Sequence, residues 1–195
     1  GWLYRWVKKQ PSNNARIAEI GSLIQKGAKT FLRKEYLILA RFSGVVAVLI
    51  FLFLPHPVWN GAFTDNLFMA VAYLAGAIFS GTAGIIGMRV ATVANMKTAE
   101  AAKKGIKPSF LAGFRGGAVM GMAVVGSSLF GAALLYLIAH ALAGDANSSL
   151  ADNLVLAFSF GASSLALFAK AGGGIFTKAA DIAADLVGKV EVGIP

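Results

Sequence analysis

Leu67-Phe-Met-Ala-Val-Ala-Tyr-Leu-Ala-Gly-Ala-Ile-Phe-Ser-Gly-Thr-Ala-Gly-Ile-Ile-Gly-Met88 runs without a charged residue. At a helical rise of about 1.5 Å per residue it is long enough to cross the roughly 30 Å hydrocarbon core of a bilayer. Three further apolar blocks accompany it, Leu37–Leu54, Gly117–Ala143 and Leu150–Ala169, the shorter of them extendable by amphipathic turns at their ends. Four such blocks predict an all-α fold, a polytopic transmembrane helix bundle with about four membrane helices. Composition agrees: 57% of the 195 residues are hydrophobic and only 14% charged, and the mean hydropathy is +0.69, whereas about a quarter of a soluble domain is charged.

The absence of cysteine excludes disulfides, thiolate metal sites, iron–sulfur clusters and cysteine nucleophiles from this stretch. His56 and His140 lie far apart beside apolar runs and read as interfacial residues rather than as a metal site.

The net charge of +9 would suggest a nucleic-acid partner in a soluble domain, but in a membrane protein the placement of the charges decides. Alternating the blocks across a membrane puts every Lys and Arg on one side: Arg5 through Arg41, Arg89 through Arg115, and Lys170 through Lys189. The other side carries only Asp65, Asp145 and Asp152. The positive-inside rule makes the basic side cytoplasmic. A multi-pass protein is expected, in a prokaryotic cell membrane, with membrane lipid as its surroundings and no nucleic-acid partner.

The chain is expected to divide into a cytoplasmic lead-in and start of the first membrane helix over 1–36, a membrane helix pair over 37–88, a basic cytoplasmic connection over 89–116, a second pair over 117–169 and a charged cytoplasmic helix over 170–195, the candidate binding segment. Ser12-Asn13-Asn14 offers N-capping oxygens to a helix running from Ala15 into the first block. Arg89–Gly105 reads as helical, with Glu100 four residues before Lys104, and Gly105 ends it. Gly76, Ser80 and Gly84, and again Gly113, Gly117 and Gly121, make small-residue stripes suited to close helix packing in lipid. Trp2, Tyr4 and Trp6 followed by Lys8 and Lys9 look like the end of a preceding membrane helix, and Val192–Pro195 does not resemble a natural terminus, so a fragment of a longer protein is expected.

Chemistry is concentrated in Gly172-Gly-Gly-Ile-Phe-Thr-Lys-Ala-Ala-Asp-Ile-Ala-Ala-Asp-Leu-Val-Gly-Lys-Val-Glu191. As a helix it brings Lys178, Asp181, Asp185 and Lys189 to one face. Two ammonium groups bracketing two carboxylates suit a polyphosphate held through magnesium, lysine on phosphate and Asp181 and Asp185 on metal. Ordinary salt bridges, Lys178 with Asp181 and Asp185 with Lys189, account for the same spacing, and on spacing alone the two readings stand level. A Walker A loop is excluded, because Lys178 follows Thr177, and Lys189 is followed by Val190 and lacks the upstream glycine. The glycine triplet reads as a flexible or tightly packed helix joint.

The segment resembles the signature of the membrane-bound, ion-translocating pyrophosphatases, GGG-[IV]-[YF]-TK-x-AD-x-x-ADLVGK-x-E. The resemblance extends to Gly27–Tyr36, Gly87–Ala91 and Phe114–Gly121 and so covers nearly the whole chain in order. It implies a homodimeric membrane enzyme that hydrolyses magnesium pyrophosphate and pumps protons or sodium, with this chain an N-terminal part, inactive alone. It implies substrate contacts by Lys178, Asp181 and Asp185, with Lys189 and Glu191 in the same signature, magnesium as cofactor with potassium or sodium as further ions, and no catalytic residue within this stretch. Lys170 stands where many members carry an arginine near the ion gate. Taken alone, a lysine ending an apolar block more often snorkels to the interface; the resemblance points instead to a gate. The competing reading is a non-enzymatic anion transporter or channel subunit, in which the lysines bind the solute and the acids orient them.

Overall fold

The computed structural model describes residues 2–11, 14–61, 63–143 and 148–193; Gly1, Ser12, Asn13, Gly144, Asp145 and Pro195 lie outside the described residues. A short helix α1 (Trp2–Lys9) precedes four long ones, α2 (Ala15–Phe53), α3 (Phe63–Ala102), α4 (Ile106–Ala143) and α5 (Ser148–Leu186). The four long helices are apolar and long enough to cross a membrane. At 38 to 40 residues each, they are roughly 60 Å long, about twice the hydrocarbon thickness. Their apolar blocks therefore fill only part of their length, and the basic parts project beyond it.

Local sequence explains the ends. Asn14 caps α2, its side-chain oxygen accepting from the backbone N–H groups of Arg16 at 3.0 Å and Ile17 at 3.1 Å. The helix then runs unbroken into the first apolar block, as its capping and spacing predict. α3 continues past Met88 to Ala102, so the basic connection is two helix extensions joined by a tight turn. Gly105 makes that turn with φ at +115°, a conformation only glycine adopts cheaply. Glu100 pairs with Lys103 at 3.4 Å and not with Lys104. The reason is the tightened last turn: the N–H groups of Lys103 and Lys104 bond back three residues, to Glu100 and Ala101, which takes Lys104 off the α-helical period.

α3 is the hub, packed along α2, α4 and α5. Its contact with α5 is made by backbones. A Cβ added at Gly76 would collide with the carbonyl oxygen of Phe158, and one at Gly161 with the carbonyl oxygen of Tyr73, so each glycine opens the space the other helix fills. Such contact matters in lipid, where burying apolar side chains gives no advantage over leaving them in hydrocarbon and packing itself holds helices together. Tyr73, fully buried, completes this crossing with its hydroxyl 3.3 Å from Ser164 Oγ. Gly84, on the same stripe as Gly76, lies against the Tyr36 hydroxyl of α2, which donates to the carbonyl of Gly81 at 3.0 Å. The second stripe behaves differently. Gly113 meets Thr98 of α3, but Gly117 and Gly121 have nothing within 4 Å, so close packing does not account for them among the described residues.

The two ends of the bundle differ. At the acidic end, Ile50, Met69, Tyr73, Ala139, Ala151 and Leu154 form a buried cluster. Asn66 there donates to the carbonyls of Phe51 at 2.8 Å and His56 at 2.7 Å, tying the α2–α3 connection to its own helix ends. At the basic end, Met96 of α3 lies on Gly21 of α2, and Arg115 of α4 sits over the Trp6 ring of α1 at 4.0 Å, a cation–π contact.

The glycine crossing makes a direct prediction. Gly161→Ala should destabilise the detergent-solubilised chain by about 1–3 kcal/mol through overpacking against Tyr73. Gly121→Ala, made where space is open, should stay within about 0.5 kcal/mol of the parent. Thermal unfolding of both variants checks this, and equal losses at the two positions would contradict the α3–α5 geometry.

Candidate functional site

α5 leaves its apolar block near Ala169 and carries the charged segment outward. The glycine triplet does not interrupt it, since the helix is continuous from Ser148 to Leu186. Two contacts steady this stretch. Thr177 Oγ1 donates to the carbonyl of Gly173 at 2.9 Å, and Phe176 packs on Phe31 of α2 with ring centroids 4.8 Å apart. Of the triplet, only Gly172 is tightly packed: the carboxylate of Glu35 occupies the space a Cβ would take, while Gly173 and Gly174 have nothing within 4 Å. Of the two forms of joint expected from sequence, flexible or tightly packed, Gly172 takes the packed one.

Lys178, Asp181 and Asp185 stand on this continuous helix within an arc of about 60°, spread over about 10 Å of its length. All three are exposed. The ion pairs that spacing allows do not form; among the described residues the salt bridges are Arg16–Glu19 and Lys103–Glu100. Lys189, also exposed, lies beyond the α-helix in a π-helical turn, Val187–Glu191, where the N–H of Val192 bonds to the carbonyl of Val187 at 3.1 Å. The wider turn slows rotation about the axis, so Lys189 is turned back from the position an ideal α-helix would give it.

Asp181 and Asp185 are two carboxylates one turn apart. Among the described residues no three His, Cys, Asp or Glu side chains gather as a metal site. That donor set cannot enclose a metal by itself. It does fit magnesium, which keeps several waters and is commonly held by one or two carboxylates plus the phosphates it bridges.

Lys170 is placed apart from this face, about 12 Å closer to the membrane along α5. It lines a cavity of about 600 Å³ between α2, α3, α4 and α5, together with Glu35, Tyr36, Ser127, Ser128 and Ser163. Glu35 is the residue that sequence reasoning passed over. One carboxylate oxygen of Glu35 is buried without a hydrogen-bond partner. The available signal was an acid two positions before an apolar block, inside the Gly27–Tyr36 stretch.

Four spanning helices whose basic residues are gathered at one end, with an unpaired lysine–carboxylate face on the last of them, define a polytopic integral membrane protein with a candidate anion and metal face outside the hydrocarbon. The chain belongs to the inorganic H+ pyrophosphatase family, whose sequence model matches residues 1–195. It is 43% identical over 189 residues to a K+-insensitive pyrophosphate-energized proton pump of Methanosarcina mazei, covering 97% of this chain and 25% of that protein. A proton pump of the same description from Caldanaerobacter subterraneus subsp. tengcongensis is 40% identical, over 99% of this chain and 28% of its own length. A K+-stimulated pyrophosphate-energized sodium pump of Thermotoga maritima is 38% identical, over 97% of this chain and 26% of its own length. The chain thus spans about a quarter of the length of these curated relatives.

The seating of Glu35 on Gly172 is open to a chemical test, because the chain has no cysteine of its own. Glu35 Cγ lies 3.6 Å from where a Cβ on residue 172 would stand, which brings a disulfide within reach. The pair Glu35→Cys with Gly172→Cys should cross-link on mild oxidation, read as loss of both thiols by mass spectrometry. The pair Glu35→Cys with Gly174→Cys should keep both thiols free.

Proposed function

We propose that the complete protein hydrolyses inorganic pyrophosphate as its magnesium complex and couples that reaction to the pumping of protons or sodium ions across a membrane. The observation that carries this reading is the unpaired face of Lys178, Asp181 and Asp185 on the projecting end of a membrane helix. Its support from similarity is membership of the family and likeness to relatives described as pyrophosphate-energized pumps.

Lys178 would contact phosphate oxygens as a flexible point charge, and Lys189 would add a second ammonium farther along the helix. Asp181 and Asp185 would hold magnesium. Bound magnesium supplies charge neutralisation and polarisation of the phosphoryl oxygens it bridges. Because these lysines and carboxylates are not engaged with each other, they meet substrate and metal without first breaking ion pairs. Lys170 sits below this face, at the ion gate in the same reading, where an ammonium keeps the charge of the family's more usual arginine without its fork geometry.

The basic ends lie in the cytoplasm of a prokaryotic cell, in keeping with the one-sided distribution of lysine and arginine. The protein works as a homodimer surrounded by membrane lipid. Potassium or sodium serves as a further ion, since one relative is described as K+-stimulated and others as K+-insensitive.

The test uses the complete protein purified in detergent. Asp185→Ala should lower magnesium-dependent phosphate release from pyrophosphate by at least about 100-fold while elution and helix content stay unchanged. The 195-residue chain alone should release no phosphate. Near-normal turnover in Asp185→Ala would overturn the site, and a complete protein that transports an anion without hydrolysing pyrophosphate would overturn the function.

A further inference from the structure

The mostly apolar cavity between α2, α3, α4 and α5 contains one acidic and one basic side chain among its lining residues, Glu35 and Lys170. They reach it from different helices. Glu35 leaves α2 just before its apolar block, and Lys170 leaves α5 just after its own. Among the described residues neither forms an ion pair, and one oxygen of Glu35 is buried with no hydrogen-bond partner.

Burying a carboxylate without a partner is costly. The neighbouring backbone cannot satisfy it, because Glu35 lies against Gly172, well inside α5, where the N–H groups are already used in the helix. Tyr36, next to it, donates its hydroxyl to the carbonyl of Gly81. Serine hydroxyls also line the cavity, but Lys170 is the one cation among its lining residues, on a stem of four carbons with three rotatable donors.

We propose that Glu35 is a positioning residue for Lys170, its carboxylate drawing the Lys170 ammonium across the mouth of the cavity where α2 meets α5. The inference rests on the pumping function proposed above. It adds to the ion gate a partner on α2, and it gives Gly172 a purpose, since a larger residue there would push the carboxylate away from α5. Lys170 stands below the Lys178–Asp185 face on the same helix and Glu35 on α2, so a shift of α5 that accompanies events at that face changes the distance between the two charges.

The experiment is a double-mutant cycle in the complete protein reconstituted into sealed vesicles, with pyrophosphate hydrolysis and ion uptake measured on the same preparation. Glu35→Gln and Lys170→Gln should each reduce the ions moved per pyrophosphate by about fivefold or more, leaving KM for magnesium pyrophosphate unchanged. The double variant should be no worse than the poorer single one, because each change removes the same pair. Glu35→Asp should restore part of the loss and serves as the readout if Glu35→Gln fails to assemble. Wild-type coupling in Glu35→Gln, or losses that multiply to about 25-fold in the double variant, would overturn the pairing. A wild-type protein that neither hydrolyses nor pumps would instead overturn the function on which the inference rests.

Discussion

Everything in this bundle is arranged around the place where α3 and α5 touch backbone to backbone. Gly76 faces the carbonyl of Phe158 and Gly161 faces the carbonyl of Tyr73, a reciprocal contact that tolerates no side chain on either helix. In a bilayer, where apolar burial distinguishes poorly between a neighbour and a lipid tail, such close approach and the weak Cα–H to carbonyl contacts it permits decide which helices pair. α3 then presents its other faces to α2 and α4. The direction in which α5 leaves the membrane, and with it the charged face, follows from that crossing.

Much of the fold was legible because membrane insertion is a coarse physical filter. Apolar blocks of spanning length and the one-sided distribution of Arg and Lys are one-dimensional properties of the chain, so reading them requires no knowledge of packing. The cap at Asn14 and the turn at Gly105 are local in the same way. What sequence could not tell was which glycines matter. Gly76 and Gly117 look alike as members of small-residue stripes, yet one is pressed against a neighbouring backbone and the other faces open space. The difference lies in the azimuth of each helix about its axis, which depends on partners distant in sequence.

The candidate site divides along the same line. Lys178, Asp181 and Asp185 share a face of one helix, so their mutual placement follows from helical geometry alone. The choice between salt bridges and a free face could not be made from spacing, and required the rotamers, which leave the charges unpaired. Glu35 was still less accessible, because its meaning comes from Gly172 and Lys170, residues on another helix. Lys189 depends on a third kind of information, because a π-helical turn at Val187–Glu191 alters the period that a face argument assumes.

The unbroken course of α5 through its glycine triplet has a mechanical consequence. Gly161, at the crossing, and Asp185, on the charged face, are separated by about 36 Å of one continuous helix. Such a rod acts as a lever with its fulcrum at the glycines. A rocking motion of only about 3° there would carry Asp185 through about 2 Å, comparable to a metal–oxygen bond length, whereas Lys170, nearer the pivot, would move less than half as far. The fulcrum that fixes the bundle thereby also sets the gearing between the aqueous face and the membrane interior.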